Sequence, residues 1–316
     1  MINDIEVYTS HVTDTRVATH IAIIGSGSGA FASAIKMAEL GARVTMIEGA
    51  KVVGGSCVNT GCVPSKILIR AAQLAHQQRD NPFKGLKNSH PQVNRSLIAQ
   101  QQTSLVDELR DTKYISILES NPAITLLKGY AHFENENTLL IKKPDGSEKE
   151  LRADRILIAT GSTPTIPPIN GLADTPYWTS TEALFAEELP ESLLVIGSSV
   201  IALEISQAYH RLGCSVTILA RHTLLYAEEP LLGERLTECF EREGIRVLNN
   251  TQASNVSYDG KSFSLDTNEG VLSADRLLIA TGRHANIAQL GLKNVGVAIQ
   301  KNGAVIVNDK METSTA

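Results

Sequence analysis

Two stretches of the chain carry the same order of apolar and polar positions. In the first, the apolar run His20-Ile21-Ala22-Ile23-Ile24 passes into Gly25-Ser26-Gly27-Ser28-Gly29-Ala30. A helix to about Leu40, a stop at Gly41 and a second strand from Arg43 to Ile47, ending on Glu48, complete it. Short, unbroken apolar runs bounded by glycine are the pattern of strands buried on both faces in a parallel sheet, so the stretch predicts a β–α–β unit. The order returns as Leu193-Leu194-Val195-Ile196, then Gly197-Ser198-Ser199-Val200-Ile201-Ala202, a helix to Leu212, Gly213 and a strand from Ser215 to Leu219. A second repeat pairs Ala153-Asp154-Arg155-Ile156-Leu157-Ile158-Ala159-Thr160-Gly161 with Ala274-Asp275-Arg276-Leu277-Leu278-Ile279-Ala280-Thr281-Gly282, both strands that end in a glycine turn. The proline-rich segment 163–171 between them marks a crossing between domains. Helices near 65–79 and 95–118 read as packing and dimer-facing elements. The pattern predicts an α/β fold of two Rossmann-like dinucleotide-binding domains, the second inserted in the first. Residues 1–18 form a flexible polar leader, 19–162 the first domain, 163–285 the second, and 286–316 the returning segment of the first.

Each residue of the first glycine run has a physical task. Gly25 makes the tight turn, Gly27 lets backbone approach a pyrophosphate, and Ala30 allows close packing of helix on strand. Glu48 follows Gly25 by 23 positions and can accept hydrogen bonds from a ribose. The same step from Gly197 falls on Ala220, with Arg221 and His222 next. Loss of the carboxylate and gain of a cation suit a 2′-phosphate, hence NADPH rather than NADH. An exposed strand-end arginine would give the same residues.

Just beyond the first unit lies Gly54-Gly55-Ser56-Cys57-Val58-Asn59-Thr60-Gly61-Cys62-Val63-Pro64-Ser65-Lys66. In a regular helix, residues five apart have Cα atoms roughly 8.7 Å apart, beyond the bridging limit of about 7 Å. A Cys57–Cys62 disulfide therefore needs a distorted turn, which Gly61 permits, and Pro64 fits the first position of the next helix. Cys62 then lies at a helix N-terminus that favours a thiolate, with Lys66 on the same face adding positive charge. The arrangement favours an exchangeable disulfide; a purely structural bridge, or two thiols filling the core, is the alternative.

Composition narrows the class. A chain of 316 residues with 42% hydrophobic content suits about two globular domains. No apolar run approaches the roughly 18 residues of a membrane span, and Met1-Ile2-Asn3-Asp4-Ile5-Glu6 lacks the features of a signal peptide. A cytoplasmic protein without a membrane partner is the expectation. A net charge of −5 without a basic stripe argues against nucleic acid. The remaining cysteines, Cys214 and Cys239, read as buried packing residues.

Two dinucleotide units, a C-x4-C pair followed by Pro-Ser-Lys, and the paired Ala-Thr-Gly strands together resemble the pyridine nucleotide–disulfide oxidoreductases over nearly the whole chain after the leader. Within that family, Ile67-Leu68-Ile69-Arg70-Ala71-Ala72, Asn121-Pro122-Ala123-Ile124-Thr125, the segment 176–184 and Val195-Ile196-Gly197-Ser198-Ser199-Val200 resemble the mercuric reductases. The resemblance implies FAD on the first unit and NADPH on the second. Gly25, Gly27 and Ala30 would meet the FAD pyrophosphate, Glu48 its ribose, Gly55 and Ser56 the diphosphate region, and the backbone from Gly129 to Ala131 the adenine. Gly161 joins the FAD set; Gly197, Arg221 and His222 form the NADPH set. Cys62 would be the thiolate against the flavin and Cys57 the interchange thiol, with Lys66 near flavin N5 and paired with Glu204. Cys57 and Cys62 would also ligate Hg(II), the implied substrate, which is reduced to Hg(0). Val200 stands where many relatives have a tyrosine at the nicotinamide pocket.

No second Cys-x-x-Cys precedes the first strand, and the chain stops at Met311-Glu312-Thr313-Ser314-Thr315-Ala316, where the family continues into its last FAD strand and dimerisation domain. The expectation is the N-terminal portion of a longer, homodimeric enzyme. A flavin disulfide reductase of the dihydrolipoamide dehydrogenase or glutathione reductase type, or a nucleotide-binding fragment without turnover, are the other readings of the same residues.

Overall fold

Strand β1 (His20–Ile24) is buried along its whole length, which is why it reads as an unbroken apolar run. The computed structural model describes residues 18–315, so the expected leader lies, apart from Ala18, outside the described residues. After β1 come α1 (Ser28–Glu39), β2 (Arg43–Glu48), the short α2 (Gly55–Asn59), α3 (Cys62–Arg79) and α4 (Arg95–Arg110). One π-helical turn (Asp111–Ile115), α5 (Ser116–Ser120) and β3 (Ile124–Lys128) follow. Three antiparallel strands, β4 (Tyr130–Asn135), β5 (Thr138–Lys142) and β6 (Glu148–Arg152), lead to β7 (Arg155–Ile158). The parallel sheet runs β3-β2-β1-β7. Ile21 and Ile23 pack with Ala30, Phe31 and Ala34 of α1, whereas Ala22 and Ile24 pack with Phe133, Leu139 and Ile141 of the antiparallel layer. Alternate residues of one strand thus close two cores.

The second unit repeats this plan. β8 (Ser162–Pro164), α6 (Ser180–Phe185), β9 (Ser192–Ile196), α7 (Val200–Leu212), β10 (Ser215–Leu219), α8 (Pro230–Glu243) and β11 (Arg246–Leu248) precede an antiparallel layer of β12 (Ala253–Tyr258), β13 (Phe263–Thr267) and β14 (Gly270–Ala274). β15 (Arg276–Ile279) and β16 (Arg283–Ala285) follow. The parallel order is β11-β10-β9-β15, with helices on one face and the antiparallel layer on the other. The repeated Ala-Asp-Arg has the same task in both units: Asp154 accepts from the His20 backbone N–H (2.8 Å) and Asp275 from that of Ser192 (3.0 Å), each fixing the start of a neighbouring strand.

The two crossings between units, β8 and β16, pair antiparallel. Arg95 and Gln102 of α4 add a second junction, both donating to the Leu184 carbonyl at the end of α6 (2.5 and 2.7 Å). No helix among the described residues is long and apolar enough to cross a membrane.

Two expectations on helices are corrected. α3 starts at Cys62 with Gly61 as its N-cap, so Pro64 is the third helical residue rather than the first. Its missing N–H costs nothing there, because the first-turn amides have no partner within the helix. The helix near 95–118 is not continuous: the π turn interrupts it and the segment runs on to Ser120.

Candidate functional site

A cavity of about 1300 Å³ opens at the carboxyl ends of β1, β2 and β7, where the strand order turns from β2 on one side of β1 to β7 on the other and open α/β sheets bind their ligands. Its volume exceeds the roughly 300–1000 Å³ common for drug-sized ligands, so it accommodates an extended dinucleotide. Gly25 forms its floor with φ +117°, and a Cβ there would stand 2.3 Å from the Ala159 carbonyl oxygen. Gly197 repeats this relation to Ala280 in the second unit (2.2 Å). On the cavity wall, Gly27 and Gly55 pack so closely that a Cβ on Gly55 would lie 2.6 Å from the Gly27 Cα. Glu48 is fixed at the end of β2 by Ser26 Oγ and by the Ala50 backbone N–H (2.6 Å), both donating to its carboxylate.

Ala30, Ser56, Ala131 and Gly161 line the same cavity, as do Cys57, Cys62, Lys66 and Glu204. Lys66 of α3 and Glu204 of α7 meet at 2.7 Å, joining the two units at the cavity wall. Gly197, Arg221 and His222 are not among its lining residues. Arg221 is exposed after β10, and the His222 ring stacks on Tyr226 with centroids 4.2 Å apart. Val200 is exposed at the cavity edge, at the start of α7.

Both cysteines of the expected disulfide are free thiols in this structure, Cys57 half-buried in α2 and Cys62 exposed at the first position of α3. The hydrogen bond from Cys57 to the Cys62 sulfur, then burial, then the charge on Cys62 push the Cys57 thiol up to about 11. Tyr114, on the π turn, has its phenol raised by burial and by the charges of the same two sulfurs. Cys214 is buried as expected, but Cys239 is exposed: it precedes the buried Phe240 on α8 and falls on the solvent side of that amphipathic helix.

Sequence reasoning missed three side chains here. Arg283 donates to Ser162 Oγ (2.9 Å) and its carbonyl, and reaches Ser56 Oγ (3.5 Å). It places an exposed cation at the glycine end of the cavity. Its only signal was a charge directly after the second Ala-Thr-Gly, where the first has Ser162. Asn59, inside the thiol loop, donates Nδ2 to the carbonyls of Val53 (2.8 Å) and Gly55 (2.9 Å). Its Oδ1 accepts from Arg110 Nη1 of α4 (2.9 Å), a partner 51 positions away that no local pattern announces.

Comparison with known proteins gives a consistent picture. The profile described as Pyridine nucleotide-disulphide oxidoreductase matches residues 19–316. A mercuric reductase from Shewanella putrefaciens is 67% identical over 302 residues, covering 96% of this chain and 54% of that protein. One from Acidithiobacillus ferrooxidans is 52% identical, covering 94% of this chain and 54% of its own length. The chain thus spans about half the length of these curated relatives. Among solved structures, the Cu(II) complex of the HOCl-induced flavoprotein disulfide reductase RclA from Escherichia coli superposes with a TM-score of 0.83 at 28% identity, covering 95% of this chain and 64% of that one.

Proposed function

Since this chain belongs to the pyridine nucleotide-disulphide oxidoreductase family, we propose that it is the cofactor- and thiol-bearing part of an NADPH-dependent flavoprotein that reduces Hg(II) to Hg(0), with residues 19–162 as the FAD unit and 163–285 as the NADPH unit. The observation that carries this reading is the placement of a dithiol and the Lys66–Glu204 pair in the same dinucleotide-sized cavity as a glycine fingerprint. Identity to proteins named mercuric reductase supports the substrate.

The residues present fit the cofactor. Gly27 and Gly55 pack backbone on backbone and line the cavity with no side chain to cover their amide groups, so a pyrophosphate can approach them, and Arg283 supplies the opposite charge. Glu48, held by Ser26 and Ala50, keeps a carboxylate at the end of β2 for ribose hydroxyls. FAD, when bound, supplies a two-electron carrier between the hydride of NADPH and the thiols. Arg221, exposed at the end of β10, suits the 2′-phosphate.

The chain's own groups then divide the remaining work. Cys62 and Cys57 both line the cavity, and the Cys57 thiol is the one pushed up, to about 11, by its neighbour and by burial. Glu204 holds Lys66 Nζ at the cavity wall, where its charge favours electron density on the thiols' side. A soft cation such as Hg(II) is matched by thiolate ligands. To bind a metal as thiolates the two cysteines must give up the protons they carry, so metal capture by the pair releases protons. The electrons balance: NADPH gives two, and Hg(II) takes two to become Hg(0).

The test is NADPH oxidation by the FAD-loaded protein with Hg(II) offered as its complex with a small thiol, beside lipoamide and glutathione disulfide. The expected result is the highest kcat/KM for Hg(II). A higher value for either disulfide would move the assignment to disulfide reduction, the reading that likeness to a flavoprotein disulfide reductase favours.

A further inference from the structure

Asn59 lies between the two cysteines in sequence and takes no part in the chemistry above, yet its carboxamide is fully engaged. Its Nδ2 bridges the carbonyls of Val53 and Gly55, and its Oδ1 accepts from Arg110. Both carbonyls belong to the turn that leads into Cys57. That turn contains Gly54 and Gly55 in left-handed conformations (φ +98° and +62°), so its backbone has unusual freedom unless tied down. Arg110 is itself held by Asp107, and its side chain is only 18% exposed, so water competes weakly for the bond to Asn59.

The helix returns to the same turn one residue cycle later. Tyr114 lies 3.5 Å from where a Cβ on Gly54 would sit and stands edge-on to Phe31 of α1, centroids 4.8 Å apart. Tyr114 itself lies within the π turn. The segment from Arg110 to Tyr114 therefore grips the thiol loop at two points.

We propose that Arg110 and Asn59 are positioning residues for the redox thiols: the guanidinium orients the carboxamide, the carboxamide ties the turn, and the loop is held so that Cys57 and Cys62 keep one geometry against the cavity. The inference rests on reading these cysteines as the redox pair. Electron transfer from a bound carrier depends on such alignment, since small displacements of reacting groups are costly.

The chain carries its own controls for a test by alkylation. Cys239 is an exposed reference, and the buried Cys214 reports loosening of the whole fold. The native protein is treated briefly with limiting iodoacetamide at one pH, and labelling of each cysteine is read by peptide mass spectrometry. Without substitution, Cys57 should label more slowly than Cys62. In Arg110→Met and in Asn59→Ala, labelling of Cys57 relative to Cys239 should rise at least about threefold, within the range expected for losing one hydrogen bond, with Cys214 unchanged. The double variant should go no further than Asn59→Ala alone, because both residues act through one contact. Arg110→Lys, which keeps a donor and charge, should recover part of the protection and serves if Arg110→Met does not fold. In the FAD-loaded protein, the same variants should weaken the thiolate–flavin absorbance.

Unchanged Cys57 labelling in folded variants would overturn the proposal. So would a rise in Cys214 labelling in step with Cys57, which marks a role in fold stability alone. Alkylation needs neither flavin nor NADPH, so it can fail while the functional reading stands. Conversely, absence of any thiolate–flavin absorbance in the unsubstituted protein would remove the functional reading and leave the labelling result intact.

Discussion

Single residues set the chemistry through their neighbours rather than their type. Two thiols five positions apart behave differently because one is half-buried and donates to the other: Cys57 is pushed up to about 11 while Cys62 faces the cavity. Arg221 lies apart from that cavity. It stands exposed at the end of β10, beside the stacked His222 and Tyr226, and makes no ion pair among the described residues. Replacing it with alanine should lower the preference for NADPH over NADH by about 1.5–3 kcal/mol, the range for a hydrogen bond to a charged group. Steady-state kcat/KM for both nucleotides checks this, and equal values in the unsubstituted protein would contradict the phosphate assignment. At this scale the sequence was most legible where chemistry is local. The glycine fingerprint and C-x4-C loop announce themselves, whereas Lys66–Glu204 followed only from family resemblance. Arg283 and Arg110 were silent because their partners are distant along the chain.

At the scale of elements, the buried parallel strands were readable and the layers covering them were not. β1 and β9 are apolar after their first residues because both faces are covered. β6, with sequence Glu148-Lys149-Glu150-Leu151-Arg152, is an exposed strand whose polar residues conceal it. The π turn kept ordinary helical composition and left no trace in the pattern. One strand-level interaction has a pH signature. The buried His20 ring bonds to the Arg152 carbonyl through Nδ1 (2.9 Å) and to Thr45 Oγ1 through Nε2 (2.9 Å), joining β1 to β6 and β2. Burial first, then the Arg43 charge, lower its pKa from 6.5. The unfolded chain therefore binds this proton more readily than the folded one. His20 contributes stability in full above about pH 6.5 and loses it as pH falls through the lowered value. Thermal midpoints measured from about pH 7.5 to about pH 5.5 should fall in the unsubstituted protein and fall less steeply in His20→Gln. Equal slopes would show that His20 does not titrate with unfolding.

Across the whole molecule, the repeat of one plan explains where the site lies. Each unit offers the carboxyl ends of its parallel strands, and the β8–β16 ribbon together with the α4–α6 contact brings the start of α7 to the cavity of the first unit. Val200, Ile201 and Glu204 from the second unit thereby share a wall with Cys57, Cys62 and Lys66 from the first. This is the arrangement expected if electrons enter from one unit and leave through the thiols of the other. The central claim is that Cys62 is the thiolate in contact with a bound flavin. It is tested most directly by anaerobic titration of the FAD-loaded protein with NADPH while long-wavelength absorbance is recorded. One reducing equivalent should produce a broad thiolate-to-flavin charge-transfer band in the unsubstituted protein, and Cys62→Ala should lack it while still binding FAD. A band of equal strength in Cys62→Ala would contradict the account.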